Sequence, residues 1–233
     1  MPVLASSPTI SPALRTDSLA CRRGERLLFS GLDLTLAPGQ ILWVRGANGR
    51  GKTSLLRLLS GLSSPAGGQI LWQGRPLRAA GAEFRSQLLY LGHHNGLKDD
   101  LTALEALRFL ARIHGRPSGA DQLVAALQAL GIANRRHAPV RTLSQGQRRR
   151  VALARLALDL AGGPAGLWLL DEPYDALDSQ GIAVLDGLLC AHARRGGSIV
   201  LTSHLPLGLS DPEPIVLQLD KLGVTQSVEA ALA

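Results

Sequence analysis

A chain of 233 residues, 45% of them hydrophobic, is long enough to bury most of its apolar surface in one large domain or in a domain with a lobe. No stretch reaches about 18 apolar residues, and the start Met1-Pro2-Val3-Leu4-Ala5-Ser6-Ser7-Pro8 lacks the basic onset and apolar core of a signal peptide, so the chain is expected to stay in the cytoplasm. The net charge of +7 is carried by arginine, lysine occurring only at 52, 98 and 221; aromatics at 3% leave no platforms for single-stranded bases, so lipid proximity or a GC-rich genome explains the charge better than nucleic acid.

Residues 1 to 13, rich in Pro and Ser, read as a frayed lead-in. Cys21 and Cys190 show no metal or redox spacing and read as incidental thiols. The run Leu32-Asp33-Leu34-Thr35-Leu36 alternates with period two, as a strand with one wet face does, and Pro38-Gly39 turns it into a buried strand, Ile41-Leu42-Trp43-Val44. That strand breaks into Gly46-Ala47-Asn48-Gly49-Arg50-Gly51-Lys52-Thr53, the spacing of a loop that binds nucleoside triphosphates. Its glycines let successive N–H groups point inward at phosphate oxygens, and the helix from Lys52 adds the positive end of its dipole. Lys52 would reach the β and γ phosphates and the Thr53 hydroxyl would hold Mg²⁺. With Ser54, which begins the helical run Ser54-Leu55-Leu56-Arg57-Leu58-Leu59 closed by Gly61, these residues form the candidate nucleotide-binding set.

Ile70-Leu71-Trp72 before Gln73-Gly74 predicts another strand and turn, and with the first strand a small antiparallel sheet over a nucleotide core. From about 95 to 162 the character becomes helical: Thr102-Ala103-Leu104-Glu105 is a capping box opening one helix, and Asp121 begins another that stops at Gly131. Parallel-strand signals return at Leu167-Trp168-Leu169-Leu170 and Ser198-Ile199-Val200-Leu201-Thr202, separated by a helix near 179 to 194, which is a βαβ pattern.

Four further segments stand in a telling order. Leu143-Ser144-Gln145-Gly146-Gln147 resembles the ABC signature, and Leu167 to Asp171 followed by Glu172 resembles a Walker B strand with its adjacent acid. Pro173-Tyr174-Asp175-Ala176-Leu177-Asp178 resembles the D-loop, and Thr202-Ser203-His204 the switch histidine. Over nearly its whole length the chain thus resembles the ATP-binding subunit of ABC transporters. The resemblance implies an α/β fold, a P-loop ABC ATPase with a RecA-like core, an antiparallel β lobe and a helical lobe. It also implies one ATP-binding domain over 1–233, with core and β lobe at about 10–94 and 163–233 and the helical lobe at about 95–162.

Each motif then has a task. Asp171, at the carboxyl end of a buried strand, can hold Mg²⁺ through oxygen. Glu172 can orient or deprotonate the attacking water, and His204 can hydrogen-bond the γ phosphate. In the family, Ser144, Gln145 and Gly146 contact the γ phosphate held by another subunit, which implies two ATP sites shared across a homodimer. Arg148, Arg149 and Arg150 alone would suit nucleic acid; in this setting they read as the surface of the signature helix.

Local strings, among them Leu71-Trp72-Gln73-Gly74, Tyr90-Leu91-Gly92-His93-His94 and Leu107-Arg108-Phe109-Leu110-Ala111-Arg112-Ile113-His114-Gly115, resemble most the cytochrome c maturation branch, the CcmA-type haem exporter ATPases. That branch implies integral membrane cytochrome c maturation subunits as partners, a peripheral place on the cytoplasmic face of the bacterial inner membrane, and haem export or release of a haem-loaded chaperone as the work. An ATPase of another small exporter is the alternative within the class; a soluble ABC ATPase without a transport role is the alternative outside it. The chain departs from the family at three places. Cys21-Arg22-Arg23 stand where an aromatic residue would stack adenine, Gln145 stands in the signature, and His94 stands at the usual Q-loop glutamine, where it is a candidate catalytic residue or a link to the membrane partner.

Overall fold

The structure, a computed structural model, describes residues 13–222. Strands β1 (Leu14–Arg23) and β2 (Arg26–Leu36) form an antiparallel hairpin, and the turn at Pro38-Gly39 delivers β3 (Ile41–Arg45) into a second sheet. Helix α1 (Lys52–Leu59) follows the glycine-rich loop and buries Leu55, Leu56, Leu58 and Leu59. Strand β4 (Gly67–Trp72) turns at Gln73-Gly74, where φ values of 49° and 76° match the twist of a tight hairpin, into β5 (Arg75–Pro76). These strands make a four-stranded antiparallel sheet in the order β2-β1-β4-β5.

Helix α2 (Leu77–Gln87), broken at Gly81, leads into β6 (Leu88–Leu91). Three helices then pack together: α3 (Ala103–Ile113), α4 (Ala120–Ala129) and α5 (Gln145–Gly162). The capping box expected at Thr102 forms, with the Glu105 N–H donating to the Thr102 hydroxyl and the Thr102 N–H to the Glu105 carboxylate. Strand β7 (Leu167–Leu170), helix α6 (Ser179–Arg194), strand β8 (Ser198–Thr202) and strand β9 (Ile215–Gln218) follow. The second sheet is parallel throughout, in the order β6-β7-β8-β3-β9.

The parallel sheet separates two cores. Leu167 and Leu169 pack with Phe29, Leu55 and Trp72 toward the antiparallel sheet, whereas Trp168 and Leu170 pack with Leu107, Leu127 and Leu153 toward the helices. Alternation along β7 therefore feeds both, and each fully buried Leu contributes roughly 1.5–3 kcal/mol. The α/β class with an antiparallel lobe and a helical lobe is borne out. Several elements carry too little pattern to be read beforehand. β1 is interrupted by register shifts around Leu19, with Ser18 at φ 46°, and α2 is rich in Arg and Ala with a glycine at its centre. Residues 1–12 of the expected lead-in lie outside the described residues, but Ala13 is buried and its carbonyl accepts the Gln73 N–H at 3.0 Å.

One expectation is corrected. Arg149, read as part of a basic surface, is 3% exposed, and Arg150 donates to the Leu130 carbonyl and the Asp178 carboxylate. The cause is helical spacing: Arg149 lies three, four and seven residues before the buried Ala152, Leu153 and Leu156, so it points inward with them.

Candidate functional site

The buried strand β3 carries the chain to the edge of the core and releases it into Gly46–Thr53. Gly49 and Gly51, at φ 79° and 101°, take the left-handed conformations that curl the loop. Gly51 caps α1 without any side-chain hydrogen bond, and the first turn of α1 holds no acidic residue, so its N–H groups face outward unopposed. The Lys52 ammonium folds back to donate to the Gly46 carbonyl at 2.8 Å, which leaves it at the loop's centre. Arg50, counted beforehand with the nucleotide set, turns its guanidinium instead to Asp220, at 2.9 Å; the same carboxylate accepts the Ala47 N–H at 2.9 Å. Asp220 braces the outer wall of the loop and was not read from the sequence. Its signal, an acid just after the mostly apolar stretch Ile215-Val216-Leu217-Gln218-Leu219, is weak beside a motif.

Across from the loop, β7 and β8 bring a chain of polar contacts to their carboxyl ends. Asp171, 2% exposed, accepts from the Thr53 hydroxyl at 2.8 Å and from the Thr202 hydroxyl at 2.9 Å. The Thr202 oxygen in turn accepts the Glu172 N–H at 2.8 Å, so one hydroxyl orients both acids. The Glu172 carboxylate accepts the His204 N–H at 3.0 Å, and its other oxygen lies 3.4 Å from the His204 Nε2 without a hydrogen bond. Burial pushes the Glu172 carboxyl above the usual glutamate range, against the attraction of His204 and Lys52. A buried carboxylate with one oxygen unsatisfied is suited to receive a proton from a water placed beside it.

These residues line one cavity of about 1240 Å³. Asn48, Gly49, Gly51, Lys52, Thr53, Ser54, Asp171, Glu172 and His204 are brought together on it, with His93, His94 and Asn95 at its rim. The His94 ring is exposed and packs edge-on against His93, with centroids 5.6 Å apart, while His93 lies 3.8 Å from Asp175. Of the Cys21-Arg22-Arg23 segment, Cys21 is buried and Arg23 lines the cavity. The Thr53 hydroxyl and the Asp171 carboxylate are hard oxygen donors in contact, a set that fits a cation such as Mg²⁺, which takes its other ligands from phosphate and water.

Ser144, Gln145 and Gly146 are not brought to this cavity within one chain. Ser144 caps α5, its hydroxyl accepting the Gln147 N–H, and both Ser144 and Gln145 are exposed. A Cβ at Gly146 would stand 2.6 Å from the Ala176 carbonyl oxygen, so glycine is what allows the signature and the turn after β7 to touch. Two further roles escaped sequence reasoning, that of Thr202 as a bridge between the two acids and that of Arg149 as a buried donor.

The family model described as ABC transporter matches residues 29–175. The chain is similar to the cytochrome c biogenesis ATP-binding export protein CcmA of Nitrosomonas europaea, at 44% identity over 89% of this chain and 95% of that protein. It is similar to the CcmA of Pseudomonas fluorescens at 48% identity, over 86% and 95%. Among solved structures, it resembles an ABC transporter ATP-binding protein from Pyrococcus furiosus with a TM-score of 0.75 at 23% identity, covering 90% of this chain and 98% of that one. A dimeric bacterial ABC transporter cassette gives a TM-score of 0.75 at 21% identity, covering 93% and 96%.

Proposed function

Since the chain belongs to the ABC transporter family, among the cytochrome c biogenesis ATP-binding export proteins, we propose that it is the ATP-hydrolysing subunit of a membrane transporter that powers haem export, or release of a haem-loaded chaperone, in cytochrome c maturation. The observation that carries the ATPase reading is the convergence of Lys52, Thr53, Asp171, Glu172 and His204 on one cavity. The backbone of residues 46–54 binds the phosphates, Lys52 neutralises the β and γ charge, and Thr53 and Asp171 would hold Mg²⁺. Bound there, Mg²⁺ would draw charge from the β and γ oxygens as it develops. Glu172 orients the attacking water and takes its proton, and His204 donates to the γ phosphate. His94 at the rim orients water or links the site to the membrane partner, and the Arg23 plane offers adenine a face in place of a ring.

Ser144, Gln145 and Gly146 lie away from their own chain's cavity, which supports their closing the ATP site of a second copy. Two such contacts make an ATP-sandwich homodimer. The division into core plus β lobe, about 10–94 and 163–233, and helical lobe, about 95–162, gives this dimer a part that holds ATP and a part that meets the integral membrane subunits. No helix among the described residues is long and apolar enough to cross a membrane. Likeness to the cytochrome c biogenesis export proteins is what supports a peripheral place on the cytoplasmic face of the bacterial inner membrane. Solubilising membranes in detergent and isolating the tagged chain tests the whole reading: integral membrane cytochrome c maturation subunits should accompany it, and their absence with the partners of another exporter would transfer the chain to that system.

A further inference from the structure

We propose that Arg149 is a positioning residue that holds Glu172 in its reactive conformation and fastens it to the loop bearing His94, an inference that rests on Glu172 being the group that activates water. Its guanidinium donates to three successive carbonyls of the turn after β7: Asp171 at 3.0 Å, Glu172 at 2.6 Å and Pro173 at 3.3 Å. The remaining nitrogen donates to the Asn95 side-chain oxygen at 3.0 Å and to the Gly92 carbonyl at 3.4 Å. Arg149 forms no ion pair with a carboxylate among the described residues. Its charge meets backbone carbonyls and the Asn95 amide oxygen directly, with Asp175, Asp171 and Glu172 attracting it from farther off.

Two features make this more than packing. Glu172 has a φ of 47°, a left-handed conformation that a side chain with a Cβ adopts only when its surroundings impose it. The carbonyls on either side of that strained residue, and its own, converge on one rigid fork. The second feature is where the other side of the fork leads. Asn95 follows His93 and His94 directly and lines the nucleotide cavity with them, so a shift of this loop moves an acceptor of the same guanidinium that holds Glu172. Arg149 itself rides on α5, the helix that Ser144 opens. One side chain thus connects the turn that carries the base, the loop at the cavity rim and the signature helix. Lysine, with a single ammonium on a flexible stem, cannot reach all five acceptors in this planar arrangement.

The test uses the purified full chain with ATP and Mg²⁺, comparing R149K, R149Q, N95A and the R149Q/N95A double variant with the unaltered protein. In R149Q and R149K, kcat should fall about tenfold or more while KM for ATP stays within about twofold, because the phosphate loop is untouched. N95A should lower kcat about threefold, and adding it to R149Q should cost nothing further, since the two groups act through one contact. A folded R149Q whose kcat stays near that of the unaltered chain, or whose KM rises in step with a lost kcat, overturns the proposal. Should R149Q fail to fold, R149K and N95A decide by the same criteria: undiminished kcat in both defeats it. E172Q serves as the control. Undiminished hydrolysis in E172Q would sink the reading of Glu172 itself, whereas an inactive E172Q beside a fully active R149Q would sink only the role of Arg149.

Discussion

Glu172 keeps its carboxylate where burial disfavours charge, and that cost is visible in the direction of its shift. Because the folded protein holds this proton more tightly than the unfolded chain does, stability falls as pH rises from the ordinary glutamate range through the raised folded value. E172Q should therefore melt at a higher temperature than the unaltered chain at pH 7.5, with the gain disappearing below about pH 4.5, where both states are protonated. The same substitution should abolish turnover and trap an ATP-bound dimer. A thermal scan across pH, run beside an ATPase assay, checks both. Arg23 supports a second prediction. With no ring to stack on, the base adds little to affinity, stacking being worth about 1–3 kcal/mol per base where an aromatic residue supplies it, so GTP should compete with ATP within about tenfold. Competition against a fluorescent ATP analogue measures this, and a hundredfold preference for ATP would assign base reading to another residue.

Helix α5 shows what was legible before the structure and what was not. The signature string marks its start, and Ser144 caps it, because a hydroxyl at that position satisfies an otherwise orphaned N–H. The phosphate loop, the strand ending in Asp171 and α6 at Ser179–Arg194 were equally legible, since each is written in contiguous residues with a strong period or a fixed spacing. What escaped are contacts between distant parts of the chain: Asp220 on Ala47, Thr202 on Glu172, and Gly146 against Ala176. No local pattern encodes these. Arg149 was misread because three arginines in a row look like a solvated face, whereas their spacing to Ala152, Leu153 and Leu156 puts the middle one inside. For Ser144 the two roles are separable. S144A should lose about 1 kcal/mol of stability with the cap, whereas S144D should retain the cap within about 0.5 kcal/mol. Both should fail to dimerise with ATP, S144D because it sets a negative charge against the γ phosphate. Chemical denaturation and light scattering on the two variants read these effects apart.

At the scale of the molecule, a histidine in the buried layer behind β7 adds to the loss of stability in acid. His192, 1% exposed, stacks on Trp168 at 3.8 Å between centroids, and burial pushes its pKa down to about 4. The unfolded chain takes up this proton near pH 6.5 and the folded one does not, so stability is lost as pH falls from about 6.5 toward 4, by roughly 2–4 kcal/mol at full expression. H192F, which keeps the stack without the proton site, should show a smaller drop in melting temperature between pH 7 and 5. The parallel sheet has a further effect, through the alternate residues of β7 that serve both cores. Opening either core leaves one face of β7 bare to water while the other still packs, which weakens the strand that both cores share, so the lobes should not melt as independent units. Calorimetry should record one endotherm in which the calorimetric and van't Hoff enthalpies coincide, and ATP should move that single peak upward as a whole. Two resolved peaks, with nucleotide displacing only one, would mean that β7 does not couple the two cores.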